Sequence, residues 1–259
     1  MAPPRLPKKF RNRVQARLRS FQDIAAAQRL REVSEADTVT VVKDMLCEVF
    51  GYDKYRELCA EVRIQGAFCD LAVRIEGRTR FLIEVKTVGV ALADHHVRQA
   101  VNYGVHAGVD WVVLTNACEW RIYKVIFDRP IHVDEITRFH LADLHPKARH
   151  DLERLYLLAH EGVSSGALDA YWRRQQVVNH FTVAQILMSK PLVGLIRTEM
   201  RRLFPEPVGA DNISRLLIDG VLKPEVLEGC KVQEAHQRLR LADRRRRAPK
   251  AARGAGVGI

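Results

Sequence analysis

Residues 67–75 and 79–88 are apolar runs separated only by Glu76-Gly77-Arg78. So short a connection between two extended segments predicts an antiparallel hairpin. With all three residues in the turn, positions whose numbers sum to 154 face each other. Leu71 then lies opposite Ile83 and Val73 opposite Phe81, with Ile75 and Val85 on the same side, so one face of the hairpin is wholly apolar. On the other face Asp70 lies opposite Glu84, with Lys86 two residues further along. A two-residue turn at Glu76-Gly77 would slip the register by one, set Asp70 against Ile83 and mix the faces, unless a bulge restored it. The apolar pattern selects the first register.

Two carboxylates and an ammonium in apolar strands need an explanation, because taking a charge out of water costs several kcal/mol unless it is paired or bound to a metal. Directly opposed like charges destabilise a sheet. A cation between Asp70 and Glu84 would relieve both. A salt bridge from Lys86 to Glu84 or Asp70 on a solvated sheet face is the competing explanation, and the residues alone leave both open.

Around the hairpin, apolar positions at Phe10, Val14, Leu18, Phe21, Ile24, Ala25 and Leu30 predict a helix over 8–32 with its arginines on the opposite face. Ser34, followed three residues later by Asp37, predicts a capped helix to about Val49, stopped by Gly51. Strands are expected at 58–64, 67–75, 79–88, 111–115 and 120–127, with another near 131–139. A helix over 94–107 would carry the chain from the strand at 79–88 to a parallel neighbour at 111–115. From 146 to 230 the pattern is helical, with segments at 148–161, 165–179, 182–189, 192–203 and 211–220, punctuated by Pro146, Pro191, Pro205, Pro207 and Pro224. The expected class is α/β (α+β), a mixed sheet flanked by helices with a helical C-terminal region.

The 259 residues suffice for one large domain with an appendage, and the net charge of +11 is concentrated at the two ends. Residues 1–33 and residues 231–259 each hold nine Lys/Arg against two Asp/Glu. These read as a basic helical arm and a basic, disordered tail, suited to nucleic-acid phosphates. The domain boundaries follow: an arm over 1–33, a main domain over 34–145, a helical region over 146–230 and a tail over 231–259. Cys47, Cys59, Cys69, Cys118 and Cys230 form no CxxC pair, which argues against a disulfide framework or a zinc site and for the cytoplasm. No apolar run is long enough for a membrane span, and the Pro- and Arg-rich start lacks the apolar stretch of a secretory signal.

The ordered set Ser34-Glu35-Ala36, Phe68-Cys69-Asp70-Leu71-Ala72, Leu82-Ile83-Glu84-Val85-Lys86, Arg98-Gln99-Ala100-Val101-Asn102-Tyr103 and Trp111-Val112-Val113-Leu114-Thr115-Asn116, with Glu119-Trp120 close behind, resembles the PD-(D/E)xK nuclease superfamily. More closely it is similar to the N-terminal nuclease domain of type I restriction enzyme R subunits. The similarity covers about residues 32–127. It departs at Cys69, where the superfamily's name has proline, and no G-x-x-x-x-G-K-[ST] phosphate loop of an ATP motor occurs in the chain.

The resemblance implies a restriction-endonuclease-like fold and Mg²⁺-dependent hydrolysis of DNA, with Mn²⁺ as an alternative ion. Asp70 and Glu84, helped by the Val85 carbonyl, would bind the metal, and Lys86 would orient water or stabilise developing charge. Glu35 would help position the metal shell or the lysine; as a bare residue it is equally a helix-dipole-favoured acid. Gln99 and Tyr103, spaced i, i+4, would contact the nucleic acid or align the site. Implied partners are restriction-system or motor subunits and a second copy of the chain. The alternative is a non-catalytic nucleic-acid-binding or complex-assembly protein with a nuclease-like fold, and RNA as substrate is a third reading. Asp94-His95-His96 reads as an ordinary helix start, because adjacent helical residues point about 100° apart. Trp111, Trp120 and Tyr123 are expected in the core. Tyr171-Trp172-Arg173-Arg174 suits either a nucleic acid or a partner-facing helix.

Overall fold

A computed structural model describes residues 5–247, which divide between Trp172 and Arg173 into two compact units. The first is built on a six-stranded sheet of β1 (Leu58–Ile64), β2 (Ala67–Ile75), β3 (Arg78–Val85), β4 (Trp111–Thr115), β5 (Glu119–Ile126) and β6 (His132–His140). The strands lie in chain order across the sheet. Neighbours are antiparallel except β3 and β4, which pair in parallel. A parallel pair cannot be closed by a turn, and the connection here is the expected helix, α3 (Asp94–Ala107).

Helices cover both sides of the sheet. On one side α1 (Lys8–Leu30), α2 (Glu35–Glu48) and α4 (Arg149–Leu158) contribute Phe10, Val14, Leu18, Val42, Met45, Leu46, Leu155 and Leu158 to the main core. The six hairpin residues expected on the apolar face, Leu71, Val73, Ile75, Phe81, Ile83 and Val85, all belong to it, as do Trp111 and Trp120. On the other side α3 sets Tyr103 against Ala72 and Leu82, and Ala100 packs with Val112 and Val125. The short α5 (His160–Ser164) and α6 (Ala167–Val177) follow α4, a new helix starting after extended Ala159 where one helix over 148–161 is expected.

The segment read as a basic arm is thus a layer of the first unit. Its apolar stripe at Phe10, Val14, Leu18, Phe21 and Ala25 is buried, and Arg13 is engaged with Glu161 and the carbonyls of Val49 and Phe50. Lys8, Lys9, Arg11 and Arg19 remain exposed. Apolar side chains spaced by three and four bury one face of the helix while the charged face stays in water, so the basic composition does not prevent docking.

Gly104 in α3 marks the closest approach of helix to sheet. A Cβ there would lie 2.6 Å from Val112 Cγ2 and 3.1 Å from the Val109 carbonyl oxygen. Gly104→Ala is therefore expected to lower stability by about 1–3 kcal/mol through overpacking, as read by urea denaturation. A neutral or stabilising change, as for an exposed helical glycine, would show that α3 is not pressed onto β4.

The second unit contains α7 (His180–Leu187), α8 (Lys190–Leu203), α9 (Ala210–Leu216) and α10 (Cys230–Arg247). Its core gathers Val193, Ile213 and Leu217, flanked by Ile196, Met200 and Leu222. The Asn179 side chain caps α7 by accepting from the Thr182 N–H, and Pro191 occupies the first turn of α8, where a missing N–H costs nothing. Two boundaries differ from expectation. The helical region over 146–230 is split between the units, and residues 231–247, read as disordered tail, form most of α10. There Val232 and Ala235 are buried and Leu239 half-buried, a spacing of three and four that lets a basic segment keep one packed face. Residues 248–259 lie outside the described residues.

Candidate metal-dependent site

The hairpin register has the expected outcome by an unexpected route. Leu71 pairs with Ile83 and Val73 with Phe81, as the apolar pattern requires, but Arg74 pairs with Thr79 and Ile75 with Arg78. The turn is therefore the two residues Glu76 and Gly77, both at positive φ (52° and 75°). A bulge between Val73 and Arg74 corrects the one-residue slip. Burial of one face thus sets the register, with the bulge absorbing the mismatch at the solvent end.

Beyond the Leu71–Ile83 pair, Asp70 and Glu84 converge. The Val85 N–H donates to Asp70 Oδ2 at 2.7 Å. Glu84, only 2% exposed, accepts from Lys86 Nζ at 2.6 Å through Oε1, while among the described residues its buried Oε2 has no hydrogen-bond partner. The strand β3 ends at Val85, earlier than the expected 88, yet the Lys86 N–H still donates to the Thr115 carbonyl at 2.8 Å on β4. Lys86 is thereby held at the carboxyl end of the parallel pair. The following segment is fixed by Val88 N–H to Thr38 Oγ1 (3.2 Å) and by Asn116 Nδ2 to the Val90 carbonyl (2.8 Å).

The charges are under tension. Burial, then the charge of Asp70, pushes the Glu84 carboxyl up to about 7, despite the hydrogen bond from Lys86. Burial also raises Asp70, against the lowering effects of the Val85 N–H and Lys86. For Lys86, burial favours the neutral form, but the hydrogen bond and charge of Glu84, with Glu35 and Asp70, raise it above its ordinary value. One lysine thus serves more negative charge than it neutralises. Cys69 takes no part: its buried thiol donates to the Leu71 and Ile83 carbonyls, and burial pushes its pKa up to about 12, the mark of an inert thiol.

Two helices close the surroundings. Ser34 and Asp37 form the expected reciprocal cap of α2, which sets Glu35 in the first turn with Oε2 3.8 Å from Lys86 Nζ. Glu35 therefore joins the lysine's anionic partners. On α3 Gln99 Nε2 donates to Tyr103 Oη at 3.1 Å, so the two share a helix face as expected. Tyr103 packs on Ala72 and Leu82, each two residues from a site carboxylate.

His96, read from sequence as part of a helix start, does begin α3 but also belongs to these surroundings. It is close enough to Lys86 and Glu35 for their charges to act on it, and burial, then His95 and Lys86, depress its pKa. The signal that would have found it is its position three residues before Gln99, on the same helical stripe. Tyr171 and Trp172 pack against the first unit's core, and Trp172 faces Lys124 Nζ 4.9 Å from its ring. That half of the aromatic-basic run is structural.

Among the described residues no three His, Cys, Asp or Glu side chains gather to hold a metal ion. Mg²⁺ does not need them: it is commonly held by one or two carboxylates and retains several waters. The orphaned Glu84 Oε2 and the raised Asp70 and Glu84 fit such an ion, for which Asp70 and Glu84 are the donors at hand. Compared with protein-family models, with curated proteins and with solved structures, the chain finds no match in any of the three.

Proposed function

We propose that the first unit is a metal-dependent deoxyribonuclease of PD-(D/E)xK type, acting in a restriction or DNA-defence role without an ATP motor of its own. The observation that carries this is the buried, under-neutralised pair Asp70 and Glu84 beside Lys86, with Glu84 Oε2 making no hydrogen bond of normal geometry among the described residues. A salt bridge built for stability would pair its charges fully; this one leaves a carboxylate oxygen waiting for a cation. The elements of the resemblance, in order from Glu35 to Thr115, support the same reading.

In this reading Asp70 and Glu84 would hold Mg²⁺, or Mn²⁺ in its place, with the Val85 carbonyl as a further donor. When bound, such an ion would polarise a water and offset charge at the phosphorus. Asp70 is oriented by the Val85 N–H, and Lys86 is a fixed cation beside the scissile phosphate, restrained by Glu84 and Glu35. Gln99 and Tyr103 line the approach of the nucleic acid. The exposed Lys8, Lys9, Arg11 and Arg19 of α1 add a nonspecific attraction for phosphates.

The test is cleavage of supercoiled plasmid by the full chain with Mg²⁺, Mn²⁺ or EDTA, beside Asp70→Asn and Lys86→Ala. Nicking or linearisation that needs the metal and falls roughly 10³-fold in either variant is the expected result, several kcal/mol of barrier. Salt-sensitive DNA binding without cleavage, unchanged in both variants, would replace the nuclease by a binding or assembly role.

A further inference from the structure

We propose that His96 is a further substrate-contacting residue of this site, donating a hydrogen bond from Nε2 to a phosphate oxygen of the bound strand. This rests on the nuclease reading and adds to it a donor that neither the resemblance nor the acidic cluster supplies.

The ring is fixed by the fold. The Ala93 backbone N–H donates to His96 Nδ1 at 3.1 Å, a reciprocal cap in which the third helical residue reaches back to the residue before the helix. A nitrogen that accepts a backbone N–H cannot carry a proton, so the neutral ring has its hydrogen on Nε2. Protonation would set one N–H against another, so the same contact holds the ring neutral. The His95 ring lies against it, centroids 3.9 Å apart, and restricts its swing. Among the described residues Nε2 makes no hydrogen bond of its own.

The position follows from the crossover. Tyr103 is anchored on Ala72 and Leu82, and α3 runs back along β3 because it returns the chain to a parallel neighbour. From Tyr103 to His96 the helix rises about 10 Å. From Leu82 to Lys86 the strand advances about 13 Å in the opposite chain direction. The stripe His96, Gln99, Tyr103 therefore tracks Lys86, Glu84, Leu82, with His96 at the lysine end, where the charges of Lys86 and Glu35 reach it. A phosphate held by Lys86 would meet a neutral N–H donor from the facing helix. The ring is spared as a metal ligand, since its available nitrogen bears hydrogen.

The test compares His96→Gln, His96→Glu and His96→Ala in plasmid cleavage. Glutamine keeps both functions, its carbonyl accepting from Ala93 and its amide donating. Glutamate keeps the cap and loses the donor; alanine loses both. Expected are kcat/KM within about 3-fold of wild type for glutamine and a fall of roughly 10- to 100-fold for the other two. The Mg²⁺ concentration for half-maximal rate should stay unchanged, and the melting temperature should fall only for alanine. Glutamine falling as far as alanine, or alanine cleaving like wild type, overturns the proposal while leaving the nuclease intact. A shifted Mg²⁺ requirement overturns it in favour of a metal ligand. An inactive wild type would instead overturn the nuclease reading beneath it.

Discussion

Glu84→Gln is expected to make the protein more stable at pH 8 while removing the proposed nuclease activity. The Glu84 carboxyl titrates near 7 in the folded protein against an ordinary 4.5, because burial and Asp70 oppose its charge. A raised carboxylate binds its proton more tightly when folded, so stability falls as pH rises from about 4.5 to about 7 and stays low above. At pH 8 the ionised group costs about 3 kcal/mol. Glutamine removes that cost at nearly the same shape: its carbonyl can accept from Lys86, and its amide faces Asp70, whose pKa is raised by the same crowding. The variant should melt roughly 5–10 °C above wild type at pH 8, with the gap closing toward pH 4. Millimolar Mg²⁺ should stabilise wild type and not the variant, because the ion takes over the charge that destabilises the free site. A variant less stable than wild type at pH 8, or a gap independent of pH, would show that Lys86 already neutralises the pair.

Under the proposed function, such a trade of stability for chemistry accounts for how plainly the charged cluster stands out in the sequence. A carboxylate and a lysine in an apolar strand contradict packing, and such local contradictions are expected at functional or strained sites. The strands at 58–64, 67–75 and 111–115, the parallel β3–β4 pair and the capped α2 were equally open to pattern, because burial of one face and a capping box are written in adjacent residues. The turn was not. Glu76-Gly77-Arg78 fits a two- or a three-residue loop, and only the bulge at Val73/Arg74 reconciles the shorter one with the buried face. Nor was His96: its neighbours Lys86 and Glu35 come from other elements, and only the return path of α3 brings them together. The helix over 231–247 was hidden for a further reason. Its arginines dominate the composition, while the three residues that pack, Val232, Ala235 and Leu239, are a thin stripe.

The arginines of α1 pose the same difficulty, and Arg13 tests it. Its planar fork donates to Val49 O (2.9 Å), Phe50 O (2.9 Å) and both oxygens of Glu161 (3.0 and 2.7 Å). It thus holds the carbonyl end of α2, where positive charge is favoured, and ties it to α5. Gly51 makes room for this: its φ is +89°, and a Cβ would lie 2.3 Å from the guanidinium carbon. Burial would raise Glu161, yet the hydrogen bonds and charge of Arg13 bring it below its usual value, so the carboxylate relies on this partner. Arg13→Met strands it with two bare carbonyls, and a loss of about 2–4 kcal/mol is expected in urea denaturation. Arg13→Lys should recover little, since an ammonium cannot reproduce the fork. Adding Glu161→Gln to Arg13→Met should restore part of the loss, with a coupling of about 1–3 kcal/mol. DNA affinity of the folded variant, and its salt dependence, should match wild type. A stable Arg13→Met protein with weakened, less salt-sensitive DNA binding would return α1 to the role of a basic arm and put Arg13 on the nucleic acid.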